Sequence, residues 1–162
     1  GNGVYGCAAI TMNPSTGAIT ATTVNNAVWN DIADCIEVPN DLEIEFGKVY
    51  VMNEDGTYNP STGYLAEGII GIASDTYGIG VGRKEGKKEL PIAIGGFVLA
   101  HVDKKYRAGT PLTAGPDGSL TEIALADKRD YPERIVATFW KTEPDTNWNG
   151  VDVKGRSWVK VI

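Results

Sequence analysis

Twenty glycines, seven tyrosines and many Val, Ile and Thr residues constrain this chain to short strands joined by tight turns. Turn chemistry recurs at Asn13-Pro14-Ser15-Thr16-Gly17, at Asn53-Glu54-Asp55-Gly56 and at Gly115-Pro116-Asp117-Gly118. Between such points the apolar runs have strand length. Gly17 to Val24 alternates weakly and reads as a strand. Lys48 to Met52, Gly68 to Ala73 and Glu89 to His101 read as stronger ones. Pro91 suits the first residue of a strand or an edge. Arg134 to Trp140 and Ser157 to Ile162 supply the closing strands. One short helix is expected over Thr121 to Asp130, where Ala124, Leu125 and Ala126 precede a charged run that stops before Tyr131-Pro132. The fold class is therefore all-β, with Gly-rich turns and at most one short helix near residues 121–130. A compact β-barrel-like or sandwich domain is expected over residues 31–162. The polar, Thr- and Gly-rich residues 1–30 read as an extended N-terminal arm.

Size and composition narrow the function. A chain of 162 residues can bury a core of its own, and 42% apolar with 22% charged residues fits neither disorder nor a membrane span. No apolar run approaches the roughly 18 residues that a spanning helix needs. The start at Gly1 has no initiator Met and no basic segment followed by an apolar one, so a piece of a longer chain without a signal peptide is expected. A net charge of −6 argues against a nucleic-acid backbone as partner. The one basic cluster, Arg83 to Lys88, is Gly-interrupted and reads as a solvated hairpin tip. Cys7 and Cys35 leave pairing undecided, with free thiols the default, and a single His (His101) with no Cys/His cluster argues against a zinc site.

Several constellations invite a chemical reading. Gly78-Ile79-Gly80-Val81-Gly82 resembles a phosphate loop only at a glance. Its spacing fits no phosphate fingerprint and a strand follows where a helix N-terminus is needed, so a Gly-rich strand end is expected, with no cofactor. Ser74, Asp75 and His101 could be assembled into a nucleophile triad, but no Gly-x-Ser-x-Gly elbow surrounds Ser74. Trp140, Trp148 and Trp158 could line a sugar-binding surface, although packing is the commoner use of tryptophan. The stretch Val28-Trp29-Asn30-Asp31-Ile32-Ala33-Asp34-Cys35-Ile36-Glu37 places an Asn-Asp bond beside an aromatic anchor, with carboxylates at Asp34 and Glu37. It reads either as a polar turn or as a self-cleavage site, in which a nearby carboxylate acts as general base.

The second half of the chain resembles the C-terminal intramolecular chaperone, or autoproteolytic cleavage domain, of bacteriophage neck-appendage and tail-spike proteins. The resemblance runs in order through Ser74-Asp75-Thr76-Tyr77-Gly78, Leu90 to Gly96, Ala108-Gly109-Thr110-Pro111-Leu112 and Gly115-Pro116-Asp117-Gly118. It continues through Tyr131-Pro132-Glu133-Arg134-Ile135-Val136 and Val153 to Val161, and covers about residues 28–162. It implies a homotrimer that registers the upstream fibre chains and is then released by cutting before an Asp. The scissile bond would be Asn30–Asp31 and the catalytic carboxylate Asp34, making a self-cleaving autoprotease rather than a turnover enzyme. Ile32 stands where Tyr is usual, Asp34 where Glu is usual, and Phe97 where Arg is frequent. Asp34 is one methylene short, and a misplacement of about 1 Å can cost on the order of 100-fold in rate, so the boundary is the firmer expectation than the cut. The physical need is plain, because intertwined fibrous β-structure slips register easily and a trimeric end raises the effective concentration of the strands being aligned. The expected location is the virion, after assembly in the bacterial host cytoplasm. The alternative is an uncleaved fibre or head-fibre domain that binds host surface glycan.

Overall fold

The computed structural model describes residues 30–162 in full, together with the strand backbones Ile10–Asn13 (β1) and Ala18–Ala21 (β2). β1 and β2 pair antiparallel as their own two-stranded sheet, the second falling inside the strand expected over Gly17 to Val24. Cys7 and Trp29 lie outside the described residues.

The rest of the chain is all-β. Its strands are Asp31–Glu37 (β3), Val49–Met52 (β4), Tyr58–Pro60 (β5), Ile69–Ala73 (β6), Ile79–Val81 (β7), Glu89–Ala100 (β8), Pro111–Ala114 (β9) and Leu120–Glu122 (β10). A helix at Leu125–Asp130 (α1) precedes Ala137–Thr142 (β11), Asn147–Trp148 (β12), Val151–Asp152 (β13) and Ser157–Val161 (β14). Ten of these strands form one sheet, ordered β10-β9-β11-β14-β8-β6-β4-β5, with β3 added against β8 and β7 added against β3. All its pairings are antiparallel except β3 with β7. β12 and β13 make a separate small hairpin.

The long strand β8 is the centre of this arrangement. Its first part pairs with β3 and its last part with β14, and Gly96 is the register partner of both Asp31 and Val161. Alternation of side chains across the sheet explains how so few residues build a core. Val49, Ile72, Ala93, Val98 and Val159 face one side and join Leu112, Leu120 and Phe139 in the main cluster. Their sequence neighbours Tyr50, Ala73 and Ile92 face the other side with Leu90 and Val38. Leu99, Trp158 and Val153 form a third cluster.

Two local expectations shift. Thr121 and Glu122 are strand rather than helix, because they pair with Thr113 and Leu112 of β9, and the helix is confined to Leu125–Asp130. Pro91 is the third residue of β8, buried opposite Cys35, and its carbonyl accepts the Ser74 N–H at 2.9 Å, so it sits inside the sheet. The Arg83 to Lys88 segment is the connection between β7 and β8 and is largely exposed. Lys84 and Lys87 both reach Glu37, at 2.9 and 3.0 Å, and hold its carboxyl down at a pKa of about 2. No helix among the described residues is long and apolar enough to cross a membrane.

Candidate functional site

Asn30 and Asp31 enter the domain at the start of β3, between the middle of β8 and the loop Ser74–Gly78. The Asn30 carbonyl accepts the Phe97 N–H at 3.2 Å, and the Asp31 carbonyl accepts the Gly78 N–H at 2.9 Å. The Asn30 side-chain amide donates to the Thr76 carbonyl. Gly96 makes this close approach feasible. Its φ is +102°, and a Cβ there would stand 2.3 Å from the Asn30 carbonyl oxygen and 2.8 Å from Asp31 Cα. The peptide bond is therefore clamped from both sides.

Asp31 itself is 2% exposed. The Thr76 hydroxyl donates to its Oδ1 at 3.2 Å, and the Ser74 hydroxyl lies 3.3 Å from that of Thr76. Burial raises the Asp31 pKa to about 6. Hydrogen bonds from Ser74, Thr76 and its own backbone N–H pull it down, while the Asp75 charge pushes it up. Asp31 Oδ2 and Asn30 Oδ1 are both buried without a protein donor. A carboxyl with one well-bonded oxygen and one orphaned acceptor is relieved by taking up a proton, which turns the orphan into a donor. The site thus holds a peptide carbonyl on a backbone N–H, followed directly by a carboxyl that protonates in mild acid.

Asp34 lies elsewhere. It is three residues further along an extended strand, about 10 Å away, and the odd offset puts it on the opposite, exposed face of β3. Its carboxylate sits beside Gly82, where a Cβ would come within 3.3 Å of Oδ1. Glu37 is further still, at the end of β3, where Lys84 and Lys87 of the β7–β8 connection hold it. The structure brings Asn30 and Asp31 together with Ser74, Thr76 and Gly96, and places Asp34 of the same chain apart from them. Ser74 and Thr76 had no sequence signal tying them to Asp31. The two faces of β3, by contrast, follow from alternation once the segment is read as a strand.

Ser74 is bonded to Thr76 rather than to His101. Asp75, between them, points the other way and forms a two-pronged ion pair with Arg156, which is itself 2% exposed and also donates to the Val153 and Asp152 carbonyls. His101 lies across a cleft near Arg156 and Lys48, where burial first and those cations second keep its pKa low. Gly78 to Gly82 carries the short edge strand β7. Cys35 is buried, and its thiol pKa is raised mainly by burial. Among the described residues no group of three or more His, Cys, Asp or Glu side chains is arranged to hold a metal ion.

No protein-family model, no curated protein and no solved structure matches this chain.

Proposed function

We propose that this chain is the C-terminal assembly domain of a bacteriophage tail appendage or fibre, that it forms a homotrimer which registers the upstream fibre chains, and that Asn30–Asp31 is the boundary at which it is released. The observation that carries the reading is convergence. Three segments on which the resemblance rests, Ser74 to Gly78, Leu90 to Gly96 and Val153 to Val161, meet at one place. The first two clamp Asn30–Asp31, and Arg156 of the third anchors the loop of the first through Asp75.

Self-association is supported by an apolar face next to that boundary. Ile32, Ile79, Val81 and Ile94 are 42%, 49%, 50% and 56% exposed. Ile32 and Ile79 are register partners on β3 and β7, Val81 follows on β7, and Ile94 is the extra residue of a bulge in β8 opposite Ile32 and Ala33. A contiguous apolar surface of this kind on a β-sheet marks an interaction site. The open backbone edge of β7 beside it adds a template for pairing.

For release by hydrolysis, water would add to the Asn30 carbonyl carbon, the C–N bond to Asp31 would break, and the adjoining Asp31 carboxyl would give its proton to the departing amine, whereas Asp34 of the same chain lies on the far face of β3. The deciding experiment is the mass of the purified chain measured together with its oligomeric state by light scattering. A trimer, with or without a fragment beginning at Asp31, is the expected result. A monomer that stays intact at all concentrations overturns the reading.

A further inference from the structure

Phe97, Trp140, Trp148 and Trp158 meet around a cavity of about 320 Å³, with Lys141 and Glu143 at its sides. Two local devices aim these rings. The pairing of β11 with β14 shifts register between Phe139 and Lys141, so Trp140 is the extra residue of a bulge and stands 44% exposed. Bulges commonly re-aim a side chain in this way. Trp148 is carried by the β12–β13 hairpin, whose turn residues Asn149 and Gly150 have φ of +47° and +88°. An Asn-Gly turn with both φ positive is the tight hairpin type that fits strand twist. Trp148 meets Trp158 edge to face at 5.1 Å, and Phe97 meets Trp140 at 4.4 Å.

The polar groups are set with equal care. Trp158 is almost fully buried, and its indole N–H donates to Glu143 Oε2 at 2.5 Å. Glu143 Oε1 accepts the Asp145 N–H at 3.1 Å. The Trp158 bond is the main reason that the Glu143 carboxyl stays below its usual pKa, and hence ionised. Lys141 Nζ lies 4.6 Å above the Trp140 ring and makes no ion pair among the described residues.

This combination selects a ligand. An organic cation would suit the rings alone, but Lys141 already occupies one π face and would repel it. An anion would meet Glu143. A neutral molecule with an apolar face for the rings and hydroxyls that both donate to Glu143 and accept from Lys141 satisfies every group at once. The volume is at the small end of ligand pockets, which run from roughly 300 to 1,000 Å³. We infer that this pocket binds a neutral saccharide, a single pyranose ring or a disaccharide end, packed between the rings of Trp140 and Trp148 and hydrogen-bonded to Lys141 and Glu143. The inference stands on the pocket alone and is independent of trimer formation or cleavage.

The test is a titration of the whole chain with neutral oligosaccharides of glucose, galactose and N-acetylglucosamine, followed by tryptophan fluorescence. Tetramethylammonium and a sulfated saccharide serve as charged competitors. At least one neutral sugar should saturate the signal with a Kd between about 0.1 and 10 mM. Trp140→Ala should weaken that binding by about tenfold or more while leaving the far-UV circular dichroism of the folded chain unchanged. Glu143→Gln, which removes the charge but not the shape, should weaken it as well. Absence of a saturable response to every neutral sugar overturns the inference. So does tighter binding of tetramethylammonium or of the sulfated sugar, and so does a saccharide affinity that survives Trp140→Ala.

Discussion

Asp75 and Arg156, 81 positions apart in sequence, are joined by two parallel hydrogen bonds of 2.7 and 3.0 Å. They tie the loop that cradles Asn30–Asp31 to the residue that leads into β14. The guanidinium is almost completely buried, so its partner cannot be removed without leaving a charge out of water.

Asp75→Ala should therefore destabilise the domain by about 3 kcal/mol, the low end of the range for breaking a buried pair, because Arg156 keeps its bonds to the Val153 and Asp152 carbonyls. For a chain of this size that lowers the melting temperature by roughly 6–12 °C. Calorimetry checks it, and a change within error would mean that the pair is dispensable. Arg156→Lys keeps the charge but loses the fork, and should fall between wild type and Asp75→Ala.

The raised pKa of Asp31 sets a pH dependence. In the unfolded chain the carboxyl loses its proton near its ordinary value of 3.8, and in the folded chain only near 6. Between those values the folded state binds more protons than the unfolded state, so this group's contribution falls as pH rises from about 4 to about 6 and then levels off. Two pKa units correspond to on the order of 3 kcal/mol. Asp31→Asn, which has no charge to desolvate, should raise stability at pH 8 and leave it nearly unchanged at pH 4. Urea midpoints at the two pH values measure this directly, and equal shifts at both would contradict it.

Gly96→Ala should disturb the junction specifically. The positive φ alone costs about 1–3 kcal/mol for a residue with a Cβ, and here the added methyl also runs into the Asn30 carbonyl. Amide hydrogen exchange should speed up at Phe97 and Gly78, whose N–H groups bind the Asn30 and Asp31 carbonyls. Protection unchanged at both would show that the clamp does not depend on the glycine.

Ile79→Lys and Val81→Glu place charges on the exposed apolar face without touching the core. Both variants should keep the melting temperature of the isolated domain and abolish self-association in sedimentation velocity. An oligomer that forms equally well with both changes would place the interface elsewhere.

The strands β4, β6, β8, β11 and β14 were legible in the sequence because each is an apolar run closed off by local turn chemistry. Thr121 and Glu122 were not, since their strand state comes from pairing with β9 and not from their own propensities. At the candidate site Asn30 and Asp31 stood out as a dipeptide. Their partners Ser74 and Thr76 are more than forty residues away, and no spacing links them. Asp34 is the opposite case. An offset of three along a strand crosses from one face to the other, so its separation from Asp31 was readable in principle once β3 was recognised. The tryptophans show the limit of composition: Trp158 is core, as expected of the residue type, yet Trp140 is turned outward by a bulge that only the pairing of β11 with β14 creates.

Gly96 pairs with Asp31 on one strand and with Val161 on another, so the first and last strands of the domain are completed against the same residue. A chain emerging from the ribosome N-terminus first presents Asn30–Asp31 more than a hundred residues before β14 exists. The groups that clamp that bond, at Thr76, Gly78, Gly96 and Phe97, all precede β14, whereas Arg156, which ties down the Ser74–Gly78 loop, is made last. The junction is thus gripped first by β8 and fully braced only once Arg156 reaches Asp75, so the two ends of the domain are locked in sequence rather than together.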